Sequence, residues 1–187
     1  MVRMVFVLLL SGWAFTTPLA ARDVAGIKLD DQMQLDGTPL VLNGVGVRSK
    51  FFVKVYVAAL YLPKPSQSVP EILAMPGPKR GAMHFLHDEV SKEKLVNAWN
   101  EEFESNQNEA SMKTLRPQLD EFNGLFQTVH KGDVIVLDYV PNDGTRVTIN
   151  GSEKGKVLGA DFNRALLQIW LGKNPADKDL KQALLGQ

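Results

Sequence analysis

Short apolar and polar pieces alternate over residues 26–42, broken by the turn signals Asp30-Asp31 and Asp36-Gly37. A long stretch follows at 40–62 (LVLNGVGVRSKFFVKVYVAALYL), rich in the Val, Phe and Tyr that suit a pleated, half-buried surface. Asn43, Gly44 and Gly46 allow a bend, a bulge or a close backbone approach within it, and Pro63 and Pro65 end it. Ser68 before Val69-Pro70-Glu71 marks a short helix start, 75–80 reads as a loop and 81–86 as a strand. After Ser91, a good N-cap, Leu95, Val96, Trp99 and Phe103 recur at helical spacing to about Glu104, and Val90 with Leu95 suits a hydrophobic staple. Leu115, Leu119, Phe122 and Phe126 predict a second helix, which Pro117 starts near Leu115.

Residues 133–140 (DVIVLDYV) and 146–149 (RVTI) flank Pro-Asn-Asp-Gly, where Asp143-Gly144 signals a hairpin. Asn150-Gly151 marks another turn before a short strand near 156–158. Asp161 is placed to cap a helix with the face Phe162, Ala165, Leu166, Ile169 and Trp170, closed by Gly172, and a last helix runs over about 177–185. Strands, helices, strands and helices joined by hairpin turns predict an α+β domain with a mainly antiparallel sheet.

Residues 1–21 (MVRMVFVLLLSGWAFTTPLAA) have a different pattern. One Arg3 precedes an apolar run, followed by Pro18 and the small Ala20 and Ala21. That is the order of a secretory signal peptide, and the run is shorter than the roughly 20 apolar residues of a membrane span. The expected organisation is a signal peptide at 1–21 and one domain at 22–187, exported to the periplasm in a Gram-negative host or otherwise secreted, with no membrane span after cleavage.

Composition narrows the chemistry. The 187 residues carry 21 Lys+Arg against 21 Asp+Glu, three His and no Cys. A neutral balance argues against nucleic acid as a partner, because phosphate neutralisation needs a basic surface. Without cysteine there is no disulfide framework, thiolate metal site or Cys nucleophile. His84 and His87, three apart on a strand, face opposite ways and make a poor metal pair. Gly44-x-Gly46 lacks the third glycine and the helix of a dinucleotide fingerprint, and Glu101-Glu102 reads as a solvated helix face. No metal or cofactor is expected.

If 48–59 is one strand, Arg48, Lys50, Phe52, Lys54, Tyr56 and Ala58 share a face, and Ser49, Phe51, Val53, Val55, Val57 and Ala59 share the other, the core face. No Asp or Glu occurs between Asp36 and Glu71, so a buried Arg48 needs its carboxylate from elsewhere in the chain or from a ligand. Arginine suits a carboxylate through two parallel hydrogen bonds, and a tyrosine hydroxyl adds a third. The plainer alternative is a solvated cationic strand face that protects the sheet from edge pairing.

The run LNGVGVRSKFFVKVYVAALYLP resembles the chalcone isomerase superfamily, and in particular its bacterial, exported chalcone isomerase-like proteins. Gly44, Gly46 and Arg48 match the family's G-x-G-x-R element, and Lys54, Val55, Val57, Tyr61 and Leu62 match the strand pattern after it. The resemblance implies a chalcone-isomerase-like open-faced β-sandwich, a large mainly antiparallel sheet backed by helices. It implies that Arg48 is the arginine that polarises a ketone in the isomerases and grips a carboxylate in fatty-acid-binding relatives. Tyr56 stands where the isomerases have threonine and the fatty-acid binders tyrosine. The isomerase helix residues Tyr, Lys and Asn fall on Ser91, Lys94 and Ala98, so only the lysine survives, and a late-helix threonine falls on Ile169 beside Trp170.

Arg48, Tyr56 and Lys94 are therefore the candidate ligand-binding residues, with no catalytic residue assigned. The first reading is a non-catalytic binder of an apolar carboxylate such as a fatty acid. The alternative is an isomerase, an intramolecular lyase acting on an unsaturated carbonyl compound, with Arg48 stabilising the enolate. A third is an envelope interaction module with a vestigial pocket. One spacing bears on all three. Arg48 and Tyr56 are eight residues apart, fewer than in the plant proteins, and span roughly 26 Å if extended. They converge only if the chain turns near Ser49–Phe51 or a ligand bridges them.

Overall fold

A computed structural model describes residues 21–187; the predicted signal peptide, but for Ala21, lies outside the described residues. The strands are β1 (Ala21–Val24), β2 (Ile27–Asp30), β3 (Gln32–Leu35), β4 (Thr38–Lys50), β5 (Val53–Leu62), β6 (Lys79–Phe85), β7 (Glu89–Val90), β8 (Val129–His130), β9 (Val134–Val140), β10 (Gly144–Ile149) and β11 (Ser152–Val157). The helices are α1 (Val69–Ala74), α2 (Lys92–Asn106), α3 (Glu109–Gly124), α4 (Ala160–Leu171) and α5 (Lys178–Leu184).

Seven strands form one sheet in the order β11-β10-β9-β6-β5-β4-β3, with every neighbouring pair antiparallel. The larger core lies between the helices and the sheet, where Tyr56, Ala58, Leu60 and Leu62 of β5 meet Trp99, Phe103, Phe122, Phe162 and Trp170. A smaller core on the opposite face joins Val57, Ala59 and Tyr61 to Leu29, Leu35, Leu40 and Leu42. Both faces of β5 are thus apolar. The face expected to carry cations is, from Tyr56 onward, the one that packs on the helices.

That correction follows from a turn the residue types do not announce. Residues 48–59 are two strands, not one, because β4 and β5 form a hairpin closed by Lys50 and Val53 around Phe51 and Phe52. Both central residues have positive φ, 48° and 67°. The three other two-residue hairpins use Ala25-Gly26, Asp36-Gly37 and Asn150-Gly151, the small and flexible residues that such a turn favours.

The first half of β4 is anchored by the C-terminal helix. A β-bulge at Asn43 turns its side chain to donate to Leu184 O at 2.7 Å and accept from Ser66 N at 2.7 Å. Gly44 and Gly46 then pass directly under α5. A Cβ on Gly44 would lie 2.2 Å from Ala183 O, and one on Gly46 would lie 2.6 Å from Ala183 Cβ. The close-approach reading of the two glycines is the one that holds.

Helix starts follow local chemistry in part. Ser68, Ser91 and Asp177 cap α1, α2 and α5. Helix α3 starts earlier than Pro117 suggests: Asn108 caps it, accepting from Ser111 N at 2.8 Å, and Pro117 lies inside. Burial of Leu115, Leu119 and Phe122 outweighs the backbone hydrogen bond the proline removes. Asp161 lies in the first turn of α4, whose N-cap is Gly159.

Candidate functional site

The hairpin settles the spacing problem. Arg48 on β4 and Tyr56 on β5 are cross-strand partners, so their side chains leave the same face of the sheet. A bulge between Arg48 and Ser49 adjusts the register there. Asp177 holds the bulge from outside: its Oδ2 accepts from Ser49 N at 3.0 Å, while Oδ1 caps α5.

A cleft of about 510 Å³ opens between the hairpin tip, the end of β6, α2 and Ile169 of α4. That is within the usual range for a small-molecule site. Val55, Phe85, Leu95, Ala98, Trp99 and Ile169 provide apolar walls. Ala98 and Ile169 stand at two positions where the resemblance places polar isomerase groups. Ser91, a third, is occupied in capping α2. Arg48, Tyr56 and Lys94 all line the cleft; Arg48 and Tyr56 lie inside, whereas Lys94 is exposed at the rim.

Arg48 is 13% exposed and its guanidinium carbon lies 5.7 Å from the Tyr56 ring centroid. Its Nε is buried without a hydrogen-bond partner among the described residues. The nearest carboxylate is Glu102 of α2, with Oε1 3.9 Å from Nη2, too long for a hydrogen bond. Glu102 is not the solvated residue expected. It is half-buried, and burial raises its pKa while the charge of Arg48 opposes that shift. Its position seven residues after Leu95 and three after Trp99, beside the buried stripe of α2, is the sequence signal that marks it.

Tyr56 is enclosed, and its oxygen accepts a hydrogen bond from Trp170 Nε1 at 2.9 Å. Among the described residues, nothing accepts the hydroxyl proton. Burial raises the Tyr56 pKa, partly offset by Arg48, so the phenol stays protonated at neutral pH. Trp99 Nε1 is a further buried donor without a partner. Trp170, read from the sequence as a helix-face residue and not as a partner of Tyr56, sits behind Tyr56, and an apolar void of about 20 Å³ lined by Ala58, Leu60 and Leu167 lies beyond it. The cleft thus surrounds a cluster of unpartnered donors with hydrocarbon. Glu89, Glu101 and Glu102 also line it, but among the described residues none accepts from Arg48 Nε or from the Tyr56 hydroxyl.

The two histidines lie apart, but not by strand alternation, because β6 ends at Phe85 and His87 follows it. His84 pairs with Val57 across β5 and β6, in the row that faces the smaller core, whereas His87 lines the cleft mouth. No cluster able to hold a metal ion occurs among the described residues.

This is a chalcone-isomerase-like open-faced β-sandwich. The chain superposes on the crystal structure of a fatty-acid binding protein from Arabidopsis thaliana with a TM-score of 0.71 at 16% identity, covering 89% of this chain and 96% of that one. The profile of the chalcone isomerase-like family matches residues 21–186. The chain belongs to that family. No curated protein matches it.

Proposed function

We propose that this protein is a non-catalytic binder of an apolar carboxylate of the fatty-acid class, held head-first in the cleft between the β4–β5 hairpin and α2. The observation that carries this reading is the buried, unpartnered Nε of Arg48, with Glu102 too distant to satisfy it. A buried donor without an acceptor costs about 1–3 kcal/mol, more when charged, and a ligand carboxylate removes that cost. Tyr56 adds its free hydroxyl proton, and Lys94 at the rim adds charge for entering anions. The acyl chain lies along the apolar walls, at about 0.8 kcal/mol per buried CH₂. The shared fold with a fatty-acid binding protein supports the same reading. We propose further that residues 1–21 direct export, which N-terminal sequencing of the mature protein tests.

Titration with palmitate, followed by Trp99 and Trp170 fluorescence, is the direct experiment. Saturable binding is expected, with hexadecanol, which lacks the carboxylate, binding more weakly. Arg48→Lys keeps the charge and loses the planar fork, so affinity should fall by about tenfold. Equal affinity for acid and alcohol, or for wild type and Arg48→Lys, removes Arg48 as the anchor. Turnover of an enone that Arg48→Ala abolishes replaces the binder reading with an isomerase.

A further inference from the structure

The tip of the β4–β5 hairpin carries a feature that ligand binding inside the cleft does not use. Phe52 is fully exposed and Phe51 is 86% exposed, at the two positions of a turn that asks for Asn-Gly. A bulky side chain at positive φ is strained, and here no packing of either ring compensates. Val53 beside them is also exposed. Strain kept where it brings no stability points to a use outside the fold. Lys50 and Lys54 flank the rings, and neither forms an ion pair among the described residues. The acids that line the cleft, Glu89, Glu101 and Glu102, belong to β7 and α2 and not to the tip.

We propose that this tip docks the protein on an anionic lipid bilayer, with Phe51 and Phe52 in the interface and Lys50 and Lys54 against the headgroup phosphates. Two adjacent aromatic rings between cations match the interfacial zone, where apolar contact and attraction to anionic lipid act together. The tip is also part of the cleft's rim: Lys50, Phe51 and Val53 line the opening. Docking by the tip turns that opening towards the bilayer, where apolar carboxylates partition. Exchange of ligand with the membrane rests on the proposed function; docking itself does not.

Co-sedimentation with vesicles tests it, using phosphatidylcholine alone and in equal parts with phosphatidylglycerol. Wild type should pellet with the mixed vesicles and less so as salt is raised. Phe52→Gly removes one ring, places glycine where φ is 67° and lies outside the cleft lining. It should lose about tenfold in vesicle affinity, with the melting temperature unchanged or higher and palmitate affinity in solution unchanged. Lys54→Glu should lose about tenfold on mixed vesicles only. Vesicle binding by wild type that both variants retain, or no binding at all, overturns docking. Dimerisation that Phe52→Gly abolishes, without vesicle binding, overturns it in favour of a second copy of the chain. Vesicle binding that follows these variants in a protein that takes up no palmitate sustains docking and removes the proposed ligand.

Discussion

Two arginines of the sheet, Arg48 and Arg80, face opposite sides and meet opposite fates. Arg80, on the face of the smaller core, is 27% exposed and grips Asp138 through both arms of its fork, Nε–Oδ1 and Nη2–Oδ2 each at 2.6 Å. Arg48, on the helix face, is more deeply enclosed yet has only a distant carboxylate and an empty Nε. The strand next to Arg80 supplies its acid directly opposite, since Asp138 is its partner between β6 and β9. The strand next to Arg48 supplies Tyr56 instead, a donor. One pair is a structural clamp. The other is a clamp with the acceptor left out.

The largest expected effect breaks the first pair. Asp138→Ala leaves Arg80 half-buried without its carboxylate, and the denaturation midpoint should fall by the equivalent of about 3 kcal/mol, at the low end for buried pairs because Arg80 retains some solvent. Palmitate affinity should be unchanged, since the pair faces away from the cleft. Next is Tyr56→Phe, which deprives Trp170 of its acceptor and the cleft of a donor. Stability should fall by about 1 kcal/mol and palmitate affinity by about threefold, read by urea melts and by fluorescence titration.

The smallest and most discriminating change is Glu102→Gln. If Arg48 were clamped like Arg80, this variant would be strongly destabilised. As the geometry stands, it should be slightly stabilising at pH 7, because the buried carboxylate no longer has to ionise, and should strengthen palmitate binding by about twofold, because a competing negative charge is gone. Its pH profile sharpens the point. Burial raises the Glu102 carboxyl above its ordinary 4.5, so the folded state holds the proton more tightly than the unfolded chain. Its contribution to stability is full below 4.5 and declines as pH rises through the raised folded value. Thermal melts across the acidic range should show that decline in wild type and not in Glu102→Gln.

The sequence makes much of this fold legible where a single residue type acts locally. Ser68 and Ser91 at helix starts, and Asp36-Gly37 and Asn150-Gly151 as turns, work through their own side chains or φ preferences. Phe51 and Phe52 carry no such signal, so the residue types read as one strand, and only the Arg48–Tyr56 spacing asks for a turn, near Ser49–Phe51, that changes the meaning of the faces. The matched Arg48 locates the cleft, and Gly44 and Gly46 the contact with α5, because all three belong to one short stretch of chain. Glu102 and Trp170 reach the same place from two different helices, and their distances to Arg48 and Tyr56 depend on how those helices pack. Pattern gives the face on which each residue lies, but not the separation that leaves Arg48 without a hydrogen bond.

The contact of α5 with Asn43, Gly44 and Gly46 also orders events in time. Asn43 and Leu184 are 141 positions apart, so a helix made later covers a strand made much earlier. Such distant closure is slow, and it cannot begin on the ribosome until α5 has emerged. A chain cut short before α5 would therefore leave the glycine track of β4 uncovered.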